Sequence, residues 1–199
     1  MGKIILGSSS PRRADILTKM KIDFEVIPSS YEEKHDKTVF SYNYVERLAY
    51  NKALAVAKDI RKQGMDETVL GADTIVVIDN KILGKPANFD EAFDMLKMLS
   101  GRIHFVVTAL ALVNSKRLTH KVKSETTYVT FENLTDEQIT NYINEFKPYD
   151  KAGAYGIQEL PYGFIRKIKG DVDNVIGLPS RMLREMLEEE EKRPSYGWY

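Results

Sequence analysis

Three serine hydroxyls and two guanidinium groups fall within the seven residues Gly7-Ser8-Ser9-Ser10-Pro11-Arg12-Arg13. Ahead of this stretch, residues 3–6 read as a short buried strand; behind it, residues 12–19 read as a helix with Ser10 as N-cap and Pro11 in its first turn. A helix N-terminus presents unpaired N–H groups and the positive end of the helix dipole, hydroxyls add donors, and arginine grips phosphate through two parallel hydrogen bonds. Ser8, Ser10, Arg12 and Arg13 are therefore candidate binders of a small polyanion. The same residues also suit a plain Ser-Pro helix start with two surface arginines. No Gly-x-x-x-x-Gly-Lys-Ser/Thr run is present, which argues against a P-loop NTPase.

The second signal is Asp73, the one acid in the apolar run Val69-Leu70-Gly71-Ala72-Asp73-Thr74-Ile75-Val76-Val77. A carboxylate buried there needs a cationic partner or a metal; strand alternation could instead turn it toward water. Glu32 and Glu33 place adjacent carboxylates in a loop that follows a predicted strand. With Asp73, one of them would complete an oxygen site for Mg²⁺, which needs only one or two protein carboxylates beside phosphate oxygens and water. Lys52, and Lys85 in the constrained turn Gly84-Lys85-Pro86, are cations able to neutralise phosphate charge, or ordinary surface lysines. Gln158 closes the glycine-punctuated stretch Asp150-Lys151-Ala152-Gly153-Ala154-Tyr155-Gly156-Ile157-Gln158, and its amide offers a donor and an acceptor to a base edge. His35, His104 and His120 lack metal-ligand spacing and read as satisfied or exposed imidazoles. The absence of a Gly-x-Ser-x-Gly elbow disfavours a Ser-His-Asp hydrolase.

These residues need a scaffold, and the hydrophobic periodicity supplies one. Strands are predicted over residues 3–6, 24–28, 68–78, 81–83, 104–113, 122–131 and 163–168, with Asp79-Asn80 as a hairpin turn. Helices are predicted over 12–19, 44–60, from a capping box at Asn88/Glu91 to Leu99, from Thr135/Gln138 to about 146, and from Ser180 as cap onward. Lys52 then sits on a long helix. Hairpins interleaved with helices predict an α/β fold with a two-lobed mixed β-sheet and flanking helices rather than a regular doubly wound one.

Composition narrows the function further. The chain has 199 residues, so one domain is expected, and its 29 basic and 29 acidic residues leave no net charge to draw it onto duplex nucleic acid. No cysteine is present, which removes disulfides, thiolate metal sites and a cysteine nucleophile. No apolar run reaches membrane-spanning length. A cytoplasmic protein with neither nucleic-acid nor membrane partners is expected.

In order and spacing, Ser8-x-Ser10-Pro11-Arg12-Arg13, Glu32-Glu33, Lys52, Gly71-Ala72-Asp73-Thr74, Gly84-Lys85-Pro86, Leu99-Ser100-Gly101 and residues 151–158 closely resemble the Maf family of nucleotide pyrophosphatases. The resemblance runs nearly end to end. It implies a single domain over residues 1–199 whose two lobes surround a nucleotide cleft, a fold related to the inosine triphosphate pyrophosphatases, and often a homodimer. Gly71-Ala72-Asp73-Thr74 and Ala154-Tyr155-Gly156-Ile157-Gln158 look like the branch acting on dTTP and UTP. By that resemblance Asp73 is the proton acceptor, and Arg12, Thr74 and Gln158 set substrate preference. Glu33, Lys52 and Lys85 match the remaining polar positions, with Mg²⁺ or Mn²⁺ shared by Glu33 and Asp73. Competing expectations are a pyrophosphatase for 7-methyl-GTP or a noncanonical purine triphosphate, and a nucleotide-binding regulator of septum formation. Two places depart from the usual family pattern: Glu159-Leu160-Pro161, where glycines are usual, and Val172, where an aromatic is common. The aromatic tail Pro194-Ser195-Tyr196-Gly197-Trp198-Tyr199 is read as a docking segment or a frayed end.

Overall fold

The structure, a computed structural model, describes residues 3–31 and 39–192. Glu32, Glu33, His35 and the aromatic tail lie outside the described residues. Its centre is a seven-stranded mixed sheet in the order β2-β1-β3-β5-β6-β7, with β4 hairpinned onto β3. The strands are β1 (Ile4–Leu6), β2 (Phe24–Val26), β3 (Thr68–Ile78), β4 (Lys81–Leu83), β5 (Ile103–Asn114), β6 (His120–Phe131) and β7 (Ile165–Lys169). β1 runs parallel to β2 and β3, while β3–β4, β3–β5, β5–β6 and β6–β7 are antiparallel. The helices are α1 (Pro11–Lys19), α2 (Tyr42–Lys62), α3 (Phe89–Leu99), α4 (Asp136–Phe146), α5 (Val172–Ile176) and α6 (Ser180–Glu191).

β3 is apolar on both faces because both are covered. Val69, Ile75 and Val77 pack with Val107, Ala109, Ala111 and Val113 of β5 beneath α2, whose buried stripe is Val45, Leu48, Ala49, Ala53, Val56, Ala57 and Ile60. On the other face Leu70 and Ala72 pack with α1 and α6, while Val76 and Ile78 pack with α3 and α4. The opposite face of β3 is thus covered by two separate helix groups. Thr74 lies between them.

Local chemistry explains most boundaries. Asp79 and Asn80 adopt φ of 50° and 62°, the two left-handed positions that a tight hairpin turn requires. Thr135 and Gln138 form a reciprocal capping box for α4. At α3 the Asn88 side chain accepts from the Glu91 N–H, but the Glu91 carboxylate reaches back to the Ala87 N–H, so the box is shifted by one residue. One capping expectation holds and one is corrected. Ser10 occupies the N-cap of α1 without a side-chain cap bond, and its own N–H donates to Ser8 Oγ. Pro179, not Ser180, is the N-cap of α6; the Ser180 hydroxyl instead donates to Asp173 at 2.5 Å. The one-turn helix α5 was not anticipated: Asp171 caps it, and Gly177 ends it at φ 118°.

Candidate functional site

The register of β3 explains where the cleft lies. β1 pairs with β3 only over Thr68–Leu70, and β4 only over Val76–Ile78, so no strand among the described residues covers the intervening edge, residues 71–75. β1 ends there, and Gly7 donates its N–H to the Leu70 carbonyl before the chain turns into α1. A sheet gap beyond the carboxyl end of a parallel strand is where open α/β sheets hold ligands. A cleft of about 680 Å³ occupies this gap, and its wall includes Ser8, Ser10, Arg12, Arg13, Lys52, Asp73, Thr74, Lys85 and Gln158. Every predicted site residue that the structure describes therefore reaches one cavity. Glu33 lies outside the described residues.

Asp73 and Thr74 are neighbours in sequence on opposite faces of β3. Asp73 faces α2, where Lys52 Nζ donates to Asp73 Oδ1 at 2.5 Å; their side chains are 8% and 16% exposed. The alternative of a solvated strand carboxylate is excluded by that burial. Helix and strand meet closely because Gly71 has no side chain: a Cβ there would stand 2.3 Å from the Ala49 carbonyl oxygen and 2.7 Å from the Ala53 nitrogen. Gly71, Ala49 and Ala53 thus let α2 rest on β3 and bring Lys52 down onto Asp73.

Thr74 faces the other way, into a chain of internal hydrogen bonds. Arg13 donates from Nε to the Gly177 carbonyl at 2.9 Å, from Nη1 to Ser8 Oγ at 2.9 Å and from Nη2 to Thr74 Oγ1 at 3.2 Å. Thr74 Oγ1 shares a hydrogen bond with Thr108 Oγ1 at 2.9 Å. Asn174, fully buried on α5, accepts from the Thr108 N–H and donates to the Val106 carbonyl and Thr127 Oγ1. The two adjacent arginines therefore differ. Arg13 ties α1 to β3 and to the turn after α5, whereas Arg12 Nη1 reaches across the cleft to Asp150 Oδ2 at 3.0 Å.

Residues 150–159 form the opposite wall. A single 3₁₀ turn, Ala152–Ala154, contains Gly153 and Ala154 at φ of 66° and 60°, and a Cβ on Gly153 would meet Val76 at 2.9 Å. Gly153 donates its N–H to the Gly84 carbonyl, joining this wall to the turn that carries Lys85. The Gly156 N–H donates to the Tyr142 hydroxyl, whose pKa burial pushes up to about 12. Tyr155 Oη lies 2.8 Å from His104 Nε2. His104 is 1% exposed, and burial lowers its pKa to about 4, so the imidazole is neutral. Lys85 and Gln158 are exposed where they meet the cleft.

The family model described as Maf-like protein matches residues 3–190. The chain belongs to the Maf family. Maf relatives named dTTP/UTP pyrophosphatase, from Thermoanaerobacter sp. (strain X514) and Thermosipho africanus (strain TCF52B), are 46% and 45% identical to it. Those alignments cover 94% and 93% of this chain and 96% and 92% of the relatives. A solved nucleoside-triphosphatase / dITP/XTP pyrophosphatase from Mycobacterium abscessus ATCC 19977 / DSM 44196 aligns at a TM-score of 0.47 and 15% identity, covering 96% of this chain and 95% of that one.

The donor set of the Maf cleft suits a divalent ion carried in with a phosphate ligand. Among the described residues no group of three or more His, Cys, Asp or Glu forms a self-contained metal site. One buried carboxylate, Asp73, lines the cleft beside cations suited to phosphate, which is the sparse protein contribution typical of Mg²⁺ held mainly by phosphate oxygens and water. No helix among the described residues is long and apolar enough to cross a membrane. Val172 is 44% exposed at the start of α5, and Glu159 is charge-paired with Lys151. Sequence reasoning missed Thr108, Asn174 and Lys151. A lysine inside the apolar, glycine-punctuated run 151–157 was a readable signal for Lys151; nothing in the pattern distinguished Asn174 from an ordinary polar residue at a helix start.

Proposed function

We propose that the chain is a nucleoside triphosphate pyrophosphatase that hydrolyses dTTP and UTP between the α and β phosphates, releasing the monophosphate and pyrophosphate in nucleotide-pool housecleaning. The observation that carries this reading is the buried Lys52–Asp73 pair in a cleft also lined by Arg12 and Lys85. The names of the Maf relatives support the two substrates. The strand groups on either side of the β3 gap act as two lobes around the nucleotide.

Lys52 fixes the Asp73 carboxylate through Oδ1, and Asp73 accepts the proton of the attacking water at Oδ2. The water oxygen bonds to the α-phosphorus, the bond to the bridging oxygen breaks, and pyrophosphate leaves with the electron pair. Charge grows on that leaving group, and Arg12 and Lys85 stabilise it. Asp73, Glu33 and phosphate oxygens would hold Mg²⁺ or Mn²⁺, which would supply further charge neutralisation. Ser8 and Ser10 donate to phosphate, Arg13 holds Ser8 and Thr74 in place, and Thr74 and Gln158 recognise the nucleoside.

Incubation with Mg²⁺ and, separately, dTTP, UTP, CTP, 7-methyl-GTP and ITP, with pyrophosphate resolved from orthophosphate, tests the reading. Pyrophosphate and monophosphate from dTTP and UTP are expected, and Asp73→Asn should lower turnover at least a hundredfold while the far-UV circular dichroism is preserved, in the usual range for a lost general base. Preferential turnover of 7-methyl-GTP or ITP would move the assignment to another branch. Wild-type turnover by Asp73→Asn would remove Asp73 from the chemistry.

A further inference from the structure

Lys151 is a buried cation that the mechanism above does not use. Its side chain is 8% exposed, with Nζ 2.8 Å from Asp150 Oδ1 and 3.0 Å from Glu159 Oε2. The first contact is a hydrogen bond; the second is a charge contact outside hydrogen-bonding alignment. Asp150 uses its other oxygen to accept from Arg12. Partial burial works against ionisation of Asp150, but hydrogen bonds from Lys151 and Arg12 outweigh it and hold its pKa below the usual value.

The stem of Lys151 passes directly beneath the loop. A Cβ on Gly156 would stand 2.8 Å from Lys151 Cε, so the absence of a side chain at 156 lets the lysine reach from one end of the loop to the other. Glu159 donates its N–H to the Gly156 carbonyl, closing a turn that contains Gln158.

We propose that Lys151 is a positioning residue for substrate specificity: by bridging Asp150 and Glu159 it holds Arg12 and the Gln158 turn as one unit, so that the phosphate-side arginine and the base-side amide keep a fixed spacing. This rests on the proposed assignment of the cleft to a nucleotide. A buried ammonium between two carboxylates orders a loop more firmly than an exposed pair, because solvent screens it less. With the bridge lost, the backbone ties at Gly153 and Gly156 still tether the loop, but the Gln158 turn is no longer fixed relative to Arg12.

The test compares the parent chain, Lys151→Met, Lys151→Arg and Glu159→Gln by calorimetric binding of the non-hydrolysable α,β-imido analogues of dTTP and GTP with Mg²⁺, alongside turnover of dTTP. Lys151→Met is expected to reduce the parent's preference for the pyrimidine analogue about tenfold and to raise KM for dTTP more than it lowers kcat. Lys151→Arg should restore much of the preference. Glu159→Gln, an isosteric change that keeps the fold even if Lys151→Met does not, should give an intermediate loss. Unchanged preference in Lys151→Met, or in Glu159→Gln where Lys151→Met does not fold, overturns the inference, as does a parent that binds both analogues equally. A parent that binds the pyrimidine analogue selectively but releases no pyrophosphate from dTTP overturns the enzymatic reading alone, and the variants' binding then still decides the role of Lys151.

Discussion

His104 shows how burial at one residue sets a property of the protein. The imidazole sits edge-on to Phe131 and Tyr155, with ring centroids 5.1 and 5.5 Å away, and Nδ1 has no hydrogen-bond partner among the described residues. The ring stays neutral because this apolar setting gives a proton no compensation. Its folded-state pKa of about 4 lies below the ordinary 6.5, so below about pH 6.5 the unfolded chain takes up a proton that the folded chain refuses. The contribution is complete above that pH and is lost as pH falls toward 4, and the shift corresponds to about 3 kcal/mol. Urea unfolding should therefore show stability falling between pH 6.5 and 4, with a shallower slope for His104→Gln, whose amide can still meet the Tyr155 hydroxyl. The same slope in both proteins would place the acid sensitivity elsewhere. Residue types at this scale were readable where they break a pattern: Asp73 stood out as an acid in an apolar strand, and the cleft accounts for it. Arg12 and Arg13 were indistinguishable by spacing, because their different partners, Asp150 and the Ser8–Thr74–Gly177 group, come from segments far away in the chain.

At the scale of elements, the contact of α2 with β3 decides whether Lys52 meets Asp73. Gly71→Ala places a methyl against helix backbone at Ala49 and Ala53, which no rotamer change relieves, so α2 must lift from the strand. The expected cost is about 1–3 kcal/mol in urea unfolding, in the range of overpacked cores. Turnover of dTTP should fall by more than the lost folded fraction explains, since the displaced helix carries Lys52. A Gly71→Ala protein with parental turnover would show that the pair tolerates helix movement and that its geometry is not set here. Strands and long helices were legible because periodicity and caps are local: β3, the Asp79-Asn80 turn and α4 follow the pattern in the residues themselves. α5 was not legible, for its five residues hold no repeat long enough to show a period, and its place is set by Asn174 bonding to β5 and β6. Ser180 misled for a related reason: its hydroxyl serves Asp173 on the preceding turn, and the sequence pattern contains no trace of that partner.

For the whole molecule, the consequence of the gap along β3 is that a ligand there touches segments that the sheet does not join directly. Ser8 and Arg12 belong to the β1–α1 side, Lys85 follows β4, and Gln158 belongs to the loop after α4, yet all meet in one cleft. A nucleotide that engages these groups binds the folded chain and has no equivalent site on the unfolded one, so it must raise stability by mass action, about 2.7 kcal/mol at a hundred times Kd. Thermal unfolding with Mg²⁺ and the α,β-imido analogue of dTTP should therefore show a Tm that climbs with the logarithm of analogue concentration well above Kd. The zero net charge makes the salt dependence a discriminating control, because attraction of a polyanion by the molecule as a whole is absent and only the cleft's local cations contribute. Tripolyphosphate, which carries the phosphates without a nucleoside, should shift Tm less than the analogue at equal concentration, since it leaves the Gln158 side of the cleft unengaged. Equal shifts by tripolyphosphate and the analogue would mean that the base-side wall contributes no binding energy. No shift by either, at millimolar concentration, would mean that neither binds the folded chain, and would remove the cleft along residues 71–75 as a site for them.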